Sequence, residues 1–477
     1  MNTLKYIICT LFFFELVAFQ AQEKLGISNS NYSSTNSIYL NPSSSVDSKT
    51  YMQLNLAGVN AFFFNNVAYL PWFSVWRLRR AGGEVQYPKI SSIPFKKFFY
   101  ANAGIDGPAF VISKRNYGAG IFARARTVVD ARGIPYELTN LLLNNNPYDN
   151  FPKEDNINLR NVKFSTMSWV EYGLNFGMMY KRIQKNLWTV GGNLKYMTGI
   201  NIFYGNLSRI KGFYNDTTVK VDEMSGKLRY NLPAFNSGRG FGMDLGVTYK
   251  KMLKNVDSYY AHSEQSNCTV IDYKFKAALS LRDAGYIRFT KGTAKANISA
   301  SGEYKASLDT TQEGVASSLN LTLSNDKILA TLPTNLSAQI DWNFGYHFYI
   351  NGTIVKNLVP HQLTGVSSPN LLSVCPRYEF RQFELAMPFT LQKFVYPQVG
   401  FAFRVRTFVL GFDNIFPLLF MKPKTYGLGA YFNLGISLFK NPACRTGSQR
   451  AVDCPPNILT KDRNGKRRWW KFWKKSK

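Results

Sequence analysis

The sequence of 477 residues has few of the residues from which catalytic and metal sites are usually built. It contains three histidines, His262, His347 and His361, and five cysteines. No HExxH, GxSxG or P-loop pattern occurs, and no histidine is accompanied in the sequence by residues expected to form a triad or a metal site. The sequence therefore predicts a protein that is not an enzyme and has no cofactor and no metal.

Long hydrophobic runs are also missing beyond the N-terminus, so no transmembrane helix is predicted. The first 21 residues have the features of a secretory signal, with Lys5 before an apolar run at 6–19 and a cleavage site near Ala21. The alternative interpretation of these 21 residues is a single membrane anchor. If the chain spans a membrane without helices, a closed β-barrel is the architecture that satisfies its backbone.

Acidic residues are scarce, since 58 Lys and Arg face 29 Asp and Glu and give a net charge of +29. Such an excess often indicates nucleic acid, but a signal peptide places the chain outside the cytoplasm. We therefore expect no nucleic-acid partner and instead expect contact with outer-membrane lipid and the phosphates of lipopolysaccharide.

The clearest pattern is a strict alternation between Phe164 and Tyr204, which is the period of β-strands. Its polar parity is rich in glycine and includes Glu171, Asn193 and Lys195. Its apolar parity carries Val170, Tyr172, Leu174, Phe176, Met178 and Tyr180, then, after a polar break at 184–186, Trp188, Val190, Leu194, Tyr196, Ile200, Ile202 and Tyr204. Two long strands with one apolar and one polar face are typical of a membrane-spanning barrel.

Further alternating segments bring the count to about fourteen strands, so we predict an all-β fold, a transmembrane antiparallel β-barrel. Short breaks at Asn116, Gln184, Gly345 and Arg406 fall on one side of the strands and most long connections on the other. Because short turns face the periplasm in such barrels, we expect long extracellular loops, periplasmic termini and a location in the cell outer membrane. The predicted organisation is a signal peptide at 1–21, an N-terminal segment at 22–48, the barrel at 49–440 and a basic aromatic tail at 441–477.

Charged and polar residues on the interior parity are the candidate functional residues. Two interpretations remain open, a lined path for a permeating molecule or ligand, and a lumen held shut by ion pairs. The predicted lumen-lining residues are Glu171, Asn193, Lys195, Asp244, Lys274, Lys276, Arg282, Asp341 and Arg404.

The two ends of the mature chain carry further candidates. The Ser- and Asn-rich N-terminal segment is either a plug inside the lumen or a disordered lead. Residues 461–477 contain nine basic residues and one acidic residue, interleaved with aromatic side chains. That pattern fits docking onto anionic lipid or a protein partner, with a solvated tail as the alternative. The docking candidates are Arg467, Arg468, Trp469, Trp470 and Trp473.

Signal cleavage would leave four cysteines, Cys268, Cys375, Cys444 and Cys454. In an oxidising compartment Cys444 and Cys454 could close a small loop by a disulfide. Four cysteines allow three pairings, and the sequence does not select among them.

Several stretches resemble an uncharacterised family of Gram-negative outer-membrane barrels with a domain of unknown function. These stretches are SIYLNPSS at 37–44, GFGMDLGVTYK at 240–250, SLRDAGYIRF at 280–289, PRYEFRQF at 376–383 and GFDN at 411–414. That family is distantly similar to fatty-acid-transporter-like barrels, including the barrel subunit of the type nine secretion system. The resemblance implies fourteen strands and an N-terminal segment inside the lumen, with Asn41 and Pro42 where related barrels carry Asn-Pro. It implies no ligand.

Two hypotheses for function follow. The first is an outer-membrane barrel that binds or passes a hydrophobic or amphipathic molecule. The second is a non-transporting scaffold or accessory subunit of an outer-membrane assembly or secretion complex, which uses its loops and tail to dock protein partners.

Overall fold

The computed structural model describes residues 24–71, 89–91, 96–134, 155–214, 218–263, 270–305, 320–324, 326–360, 362–415 and 424–442. Its strands are β1 (Met52–Asn65), β2 (Ala68–Pro71), β3 (Lys89–Ile90), β4 (Lys97–Lys114), β5 (Tyr117–Ile134), β6 (Asp155–Ile183), β7 (Asn186–Tyr214), β8 (Thr218–Asn231), β9 (Gly238–Met252), β10 (Tyr273–Phe289), β11 (Thr293–Lys305), β12 (Asn320–Ser324), β13 (Ile328–Thr331), β14 (Asn335–Gly345), β15 (Phe348–Asn357), β16 (Leu371–Glu379), β17 (Phe383–Ala386), β18 (Phe389–Gln392), β19 (Tyr396–Val399), β20 (Phe401–Val405), β21 (Phe408–Phe412), β22 (Lys424–Thr425) and β23 (Gly427–Leu438).

Fourteen antiparallel crossings form a closed barrel, which confirms the predicted fold class. The crossings are β1, β4, β5, β6, β7, β9, β10, β14, β15, β16, β17 with β18, β19 with β20, β21 and β23. The barrel closes where β1 pairs with β23 from Met52 opposite Leu438 to Phe64 opposite Gly427. Closure leaves no unpaired strand edge in lipid, so backbone groups in the wall are satisfied.

The two ends of the barrel differ. The turn end carries the tight connections at 115–116, 184–185, 346–347 and 406–407, where Arg115, Gln184, Tyr346 and Arg406 adopt positive φ. At the opposite loop end, β8 pairs with the outer half of β7 and with β11, and β11 pairs with β12. Strands β6 and β7 contain 29 residues each, with a rise of about 3.3 Å per residue. A barrel strand needs only roughly ten residues to cross a membrane, so both strands are far longer than one crossing.

The alternation predicted for the β6–β7 hairpin holds over its membrane-facing part. Leu174 and Leu194 expose 62% and 67% of their surface on the outside, whereas Glu171 is fully buried inside. The prediction is wrong beyond a β-bulge, where Trp169 pairs with Gly199 but Ser168 pairs with Asn201. The extra residue inverts the parity of β7, so Ile202 and Tyr204 are buried in the interior rather than facing lipid.

The N-terminal segment lies inside the barrel at the turn end. It consists of α1 (Leu25–Ser28), α2 (Ser34–Ser37) and a 3-10 helix (Pro42–Ser45), and nearly all of its residues are buried. The Asn41 side chain accepts a hydrogen bond of 3.0 Å from the Ser43 amide, which caps the 3-10 helix, and Pro42 supplies the fixed φ of its first turn. We call residues 24–50 the plug.

Four interior glycines on neighbouring wall strands make room for the plug. They are Gly118, Gly177, Gly191 and Gly246, on β5, β6, β7 and β9. A Cβ atom at Gly191 would lie 2.7 Å from the Ser43 Cα atom, and one at Gly246 would lie 2.1 Å from the Asn41 Oδ1 atom. Approaches this close require glycine, so the wall sequence is fitted to a chain segment that lies between 73 (Gly118 to Ser45) and 205 (Gly246 to Asn41) residues away in sequence.

The β9–β10 connection closes the turn end beneath the plug. Within residues 253–263, Tyr259 donates a 2.6 Å hydrogen bond to the Asp47 carboxylate, and His262 Nε2 lies 2.8 Å from the Ser48 carbonyl oxygen. Val256 packs in an apolar cluster with Val46 of the plug. We call residues 253–263 the turn-end cap.

Replacing Gly191 by Ala is expected to displace the 3-10 helix, because the new methyl group would overlap the Ser43 backbone. A cysteine at Ser45, which is buried in the wild-type protein, should then react faster with a water-soluble maleimide. Gly352→Ala is the matched control, because no atom lies within 4 Å of the position of its Cβ. Equal labelling rates of the cysteine at position 45 in Gly191→Ala and in Gly352→Ala would show that Gly191 is not needed to accommodate the plug.

Candidate functional site: the layered barrel interior

The interior-facing residues of the wall change in character from the turn end to the loop end. Along β6, Gly177 contacts the plug, Glu171 belongs to an ion-pair network, Trp169 and Met167 are apolar, and Lys163 follows at the loop end. The adjacent strands β5 and β7 repeat this order. The interior is therefore a stack of a plug layer, an ion-pair layer, an apolar layer and a cationic cavity.

Hydrogen bonds hold the plug to β6, β7 and β9, together with the apolar packing of Val46 and an ion pair between Asp47 and Lys250 at 2.8 Å. The Asn41 side chain donates to Thr248 Oγ1 at 3.0 Å, and the Ser43 and Thr248 hydroxyls lie 2.7 Å apart. Asn175 donates to the Pro42 carbonyl and Asn193 to the Ile38 carbonyl, both at 3.1 Å. Contacts of this kind exchange with water at little net cost.

The ion-pair layer is a chain of alternating charges above the plug. Glu171 pairs with Arg124, and with Arg126 at 3.6 Å, and Arg126 pairs with Asp283 at 2.9 Å. Lys195 then joins Asp283 at 2.7 Å to Asp244 at 2.6 Å. Beside this chain, Lys24 of the plug pairs with Asp106 of β4. The four paired cations thus match four carboxylates, and Arg282 adds a further cation to the same space, where it donates to Asn335.

A second network lies on the opposite wall. Asp341 is paired with Arg377 at 2.9 Å and with Lys276 at 3.1 Å. Arg404 donates to Glu384 at 2.8 Å, and Glu384 also accepts a 2.6 Å hydrogen bond from Ser30 of the plug. These side chains connect the plug to β10, β14, β16, β17 and β20.

The predicted lumen residues fall into two groups in the structure. Glu171, Asn193, Lys195, Asp244, Lys276, Arg282, Asp341 and Arg404 lie in the interior, where the ionic groups among them form the pairs described above and Arg282 donates to Asn335 at 2.8 Å. The prediction for Lys274 is wrong, because this side chain is exposed at an irregularity between Tyr273 and Phe275. Tyr273 takes the interior position instead and contacts Asp341.

Sequence reasoning did not identify the ion partners Lys24, Asp106, Asp283, Arg377 and Glu384. All five are buried, and the interior parity of their strands could have revealed Asp106, Arg377 and Glu384. Asp283 lies on the outward parity of β10 and enters the interior at a β-bulge between Leu281 and Ala284. Nothing in the sequence around Lys24 indicates a partner 82 positions away on β4.

The apolar layer fills the barrel above the ion pairs. Arg126 links the two layers, with its Cζ atom 4.9 Å from the centre of the Trp169 ring. The layer comprises Phe62, Phe64, Phe98, Tyr100, Val128, Met167, Trp169, Met197, Ile202, Ile287, Phe289, Ile328, Ala330, Leu332 and Val366. All of these side chains are buried, so the layer is a packed barrier between the ion pairs and the loop end.

A cavity of about 850 Å³ opens at the loop end above the apolar layer. Its charged lining consists of four cations, Lys96, Arg132, Lys227 and Arg229, and contains no carboxylate among the described residues. The β15–β16 loop, residues 358–370, forms one side of it through Leu363 and Thr364. We call this space the loop-end cavity.

A second space of about 860 Å³ is a recess in the lipid-facing wall, formed by β4–β7, β9 and β10. Its rim is made of exposed apolar side chains that include Tyr172, Leu194, Tyr196, Phe241 and Tyr286. Its floor contains three glycines, Gly173, Gly242 and Gly285, and two interior side chains, Phe122 and Lys195. We call this space the wall recess.

Several predicted residues lie outside the described part of the chain. These are the docking candidates Arg467, Arg468, Trp469, Trp470 and Trp473, and the disulfide candidates Cys444 and Cys454. Cys375 is described and is a buried free thiol. Within the described ranges, no helix has the length and apolarity required for a membrane span, and no cluster of three or more His, Cys, Asp or Glu residues could hold a metal ion.

A closed barrel with an apolar outer face and a polar, plugged interior defines the class of outer-membrane β-barrel proteins. Within that class, the chain belongs to a family of unknown function, DUF5723, whose model matches residues 42–218 and 204–413.

Among proteins of known structure, the chain is distantly similar to other barrels. The toluene transporter TbuX of Ralstonia pickettii is 9% identical with a TM-score of 0.37, and the match covers 84% of this chain and 92% of TbuX. A TodX monoaromatic hydrocarbon channel lacking S2 is 8% identical with a TM-score of 0.39, covering 85% and 93%. The ferric yersiniabactin receptor FyuA of Yersinia pestis is 9% identical with a TM-score of 0.18, covering 82% and 68%. No curated protein sequence matches.

Removing the Lys195 ammonium group by Lys195→Met is expected to destabilise the barrel strongly, because Asp244 and Asp283 would keep buried charges without their shared cation. We expect a loss of about 3–5 kcal/mol in the free energy of unfolding, measured by urea titration in lipid vesicles. The control is Arg209→Met, which breaks an exposed ion pair with Glu223 at 3.2 Å and should cost roughly 0–1 kcal/mol. Equal losses would show that the interior pairs do not stabilise the fold.

Acidic pH is expected to loosen the turn-end cap. Burial lowers the pKa of His262 below its ordinary value of 6.5, although the Ser48 carbonyl oxygen and the Asp47 carboxylate oppose the shift. A lowered pKa means that the neutral imidazole stabilises the folded state above about pH 6.5, and this stabilisation is lost as the pH falls through the folded-state pKa. Hydrogen exchange in residues 253–263 should therefore accelerate between pH 7.5 and pH 5. In His262→Gln, the pH dependence of that exchange, after correction for intrinsic rates, should disappear.

Proposed function

We propose that this chain is an outer-membrane barrel that binds and passes a hydrophobic or amphipathic molecule, and that its own plug is the gate. The observation that carries the proposal is the wall recess, which opens toward lipid and ends at a side chain in contact with the plug. A mostly apolar space of this size suits a hydrocarbon chain or a small aromatic molecule.

Phe122 is the side chain that separates the wall recess from the interior. A Cβ atom on Gly173 would lie 2.0 Å from the Phe122 Cζ atom, so the ring occupies the space that this glycine leaves free. The centre of the ring lies 5.2 Å from that of Tyr39 of the plug, in an edge-to-face arrangement. Phe122 therefore fills a thin part of the wall and is supported from the inside by the plug.

Movement of the plug would remove this support. Tyr39 belongs to the same continuous segment as Asn41 and Ser43, whose contacts with Thr248 are hydrogen bonds that water can replace. Once Tyr39 moves away, the Phe122 ring can turn inward and join the wall recess to the lumen. In this mechanism the cargo enters from the membrane. The ion pairs between wall strands beside the recess stay intact, and only pairs made by the plug itself, such as Lys24 with Asp106, can be broken by its movement.

A disulfide between plug and wall tests the gate. The side-chain oxygens of Ser43 and Thr248 are 2.7 Å apart, so Ser43→Cys with Thr248→Cys should form a reversible cross-link. We expect the oxidised double variant to lose uptake of a fluorescent hydrophobic probe into proteoliposomes and to regain it with reductant. Each single variant controls for the substitutions themselves.

A second pair of variants tests the position of the gate. Phe122→Ala should raise uptake, whereas Ile121→Ala, which shortens a lipid-facing neighbour, should leave it near the wild-type value. Equal uptake by the oxidised and reduced cross-linked protein would overturn the plug as gate. Equal uptake by the two alanine variants would overturn the route through the wall recess.

The sealed interior favours one alternative, a non-transporting scaffold or accessory subunit of an assembly or secretion complex. The charge-matched ion-pair layer, the packed apolar layer and the turn-end cap together close the lumen within the described residues. On this alternative the chain has periplasmic termini and docks partners or anionic lipid through residues 461–477. Native mass spectrometry of the full chain, with and without that tail, would show bound proteins lost on deletion, and uptake would not respond to the cross-link.

A further inference from the structure

We propose that the loop-end cavity is a binding site for a molecule carrying two or more phosphate groups, and that the β15–β16 loop covers this site as a lid. This inference concerns a site separate from the wall recess and does not depend on passage through it. It rests on an excess of cations at one end of a barrel in which most other interior cations pair with carboxylates.

The imbalance is visible in the partners of each cation. Asp130, the carboxylate behind the cavity, pairs with Arg132 at 2.7 Å and accepts a 2.7 Å hydrogen bond from Ser367. Among the described residues, no carboxylate lies within ion-pair distance of Arg229 or Lys163. In the ion-pair layer, by contrast, Lys24, Arg124, Arg126 and Lys195 each contact a carboxylate.

Lys163 is the most informative of these cations. Its side chain is 99% buried, yet its Nζ atom contacts only neutral groups, the Leu363 carbonyl oxygen at 3.2 Å and the face of the Tyr204 ring, whose centre is 5.2 Å away. Both Leu363 and Tyr204 line the cavity. An ammonium group removed from water usually has a counter-ion nearby, so this lysine is placed to meet an anion that enters from the cavity.

The β15–β16 loop occupies the hydrogen-bonding positions that such an anion would use. Arg229 donates to the Thr364 hydroxyl at 2.6 Å, Arg132 donates to the Ser367 hydroxyl, and Lys163 donates to the Leu363 carbonyl. All three acceptors are neutral. A phosphate oxygen would bring a negative charge to these cations, whereas the acceptors of the loop bring none, so an anion can replace the loop at these positions.

The number and kind of cations identify the ligand chemistry. Two arginines offer planar forks that fit phosphate oxygens, and lysines add point charges around them. A cavity of about 850 Å³ with four lining cations is far larger than a single phosphate requires. A molecule with several phosphates matches both its volume and its charge. Such a ligand could be the phosphorylated headgroup of an outer-leaflet glycolipid or a soluble phosphorylated compound.

Calorimetric titration of the detergent-solubilised full chain with tripolyphosphate tests the site. We expect saturable binding that weakens by about tenfold in Lys163→Met and in Arg229→Gln. Lys185→Met removes an exposed lysine at the turn end and is the charge-matched control. Thr364→Val removes one neutral acceptor while keeping the side-chain shape, and should tighten binding if the loop competes with the anion.

Two results would overturn the site, namely no saturable binding, or equal weakening in Lys185→Met and Lys163→Met, which would indicate general charge attraction. Unchanged affinity of Thr364→Val for tripolyphosphate would overturn the proposal that the β15–β16 loop is a lid. Melting temperatures identify a variant that fails to fold. If the buried Lys163→Met fails, the affinity of Arg229→Gln, which alters a partly exposed side chain, decides the test. Competition by a bisphosphorylated glycolipid in mixed micelles, but not by its dephosphorylated form, would assign the ligand to the membrane. Failure of both to compete would assign it to the soluble phase.

Discussion

Closure of the wall in lipid is the constraint on which the rest of this structure depends. A strand in a membrane barrel must satisfy its backbone through its neighbours and present alternate side chains to lipid and to the interior. Fourteen strands enclose a lumen wider than their own side chains can fill. The plug, residues 24–50, completes this interior, which explains why a polar segment rich in Ser and Asn is almost fully buried.

The alternation of side chains also determines how much could be predicted from sequence. Glu171, Lys195 and Asp244 could be placed in the interior because parity is a local property. Lys274 and Ile202 were assigned to the wrong side because a bulge adds one residue and inverts every position after it. A bulge depends on the pairing of two strands, which a single strand sequence does not reveal.

The partners of the interior charges were beyond sequence reasoning for a different physical reason. Parity shows that a side chain points inward. It does not determine the side chain's position along the barrel axis or the residues that face it across the lumen. Lys195 meets Asp244 and Asp283 because β7, β9 and β10 are neighbours in one register. The pairing of Lys24 with Asp106 depends on where the plug stops inside the closed barrel. The apolar layer was missed because inward Met167 and Trp169 alternate with the hydroxyl side chains of Thr166 and Ser168, which reverses the pattern of apolar residues outside and polar residues inside.

The order of the layers constrains any route through the molecule. An axial path from the loop-end cavity would take an anion out of a cationic environment, through a packed apolar layer, and into ion pairs that are already matched. Each step is unfavourable for a charged group, because desolvation is not compensated by a new partner. A hydrophobic molecule crosses the apolar layer more easily but then meets the same ion pairs. The wall recess avoids the apolar layer, since it reaches the interior beside Lys195 and Phe122, directly above the plug. The proposed binding of an anion at the loop end and the proposed passage of an apolar molecule through the wall would therefore be physically separate events in this barrel.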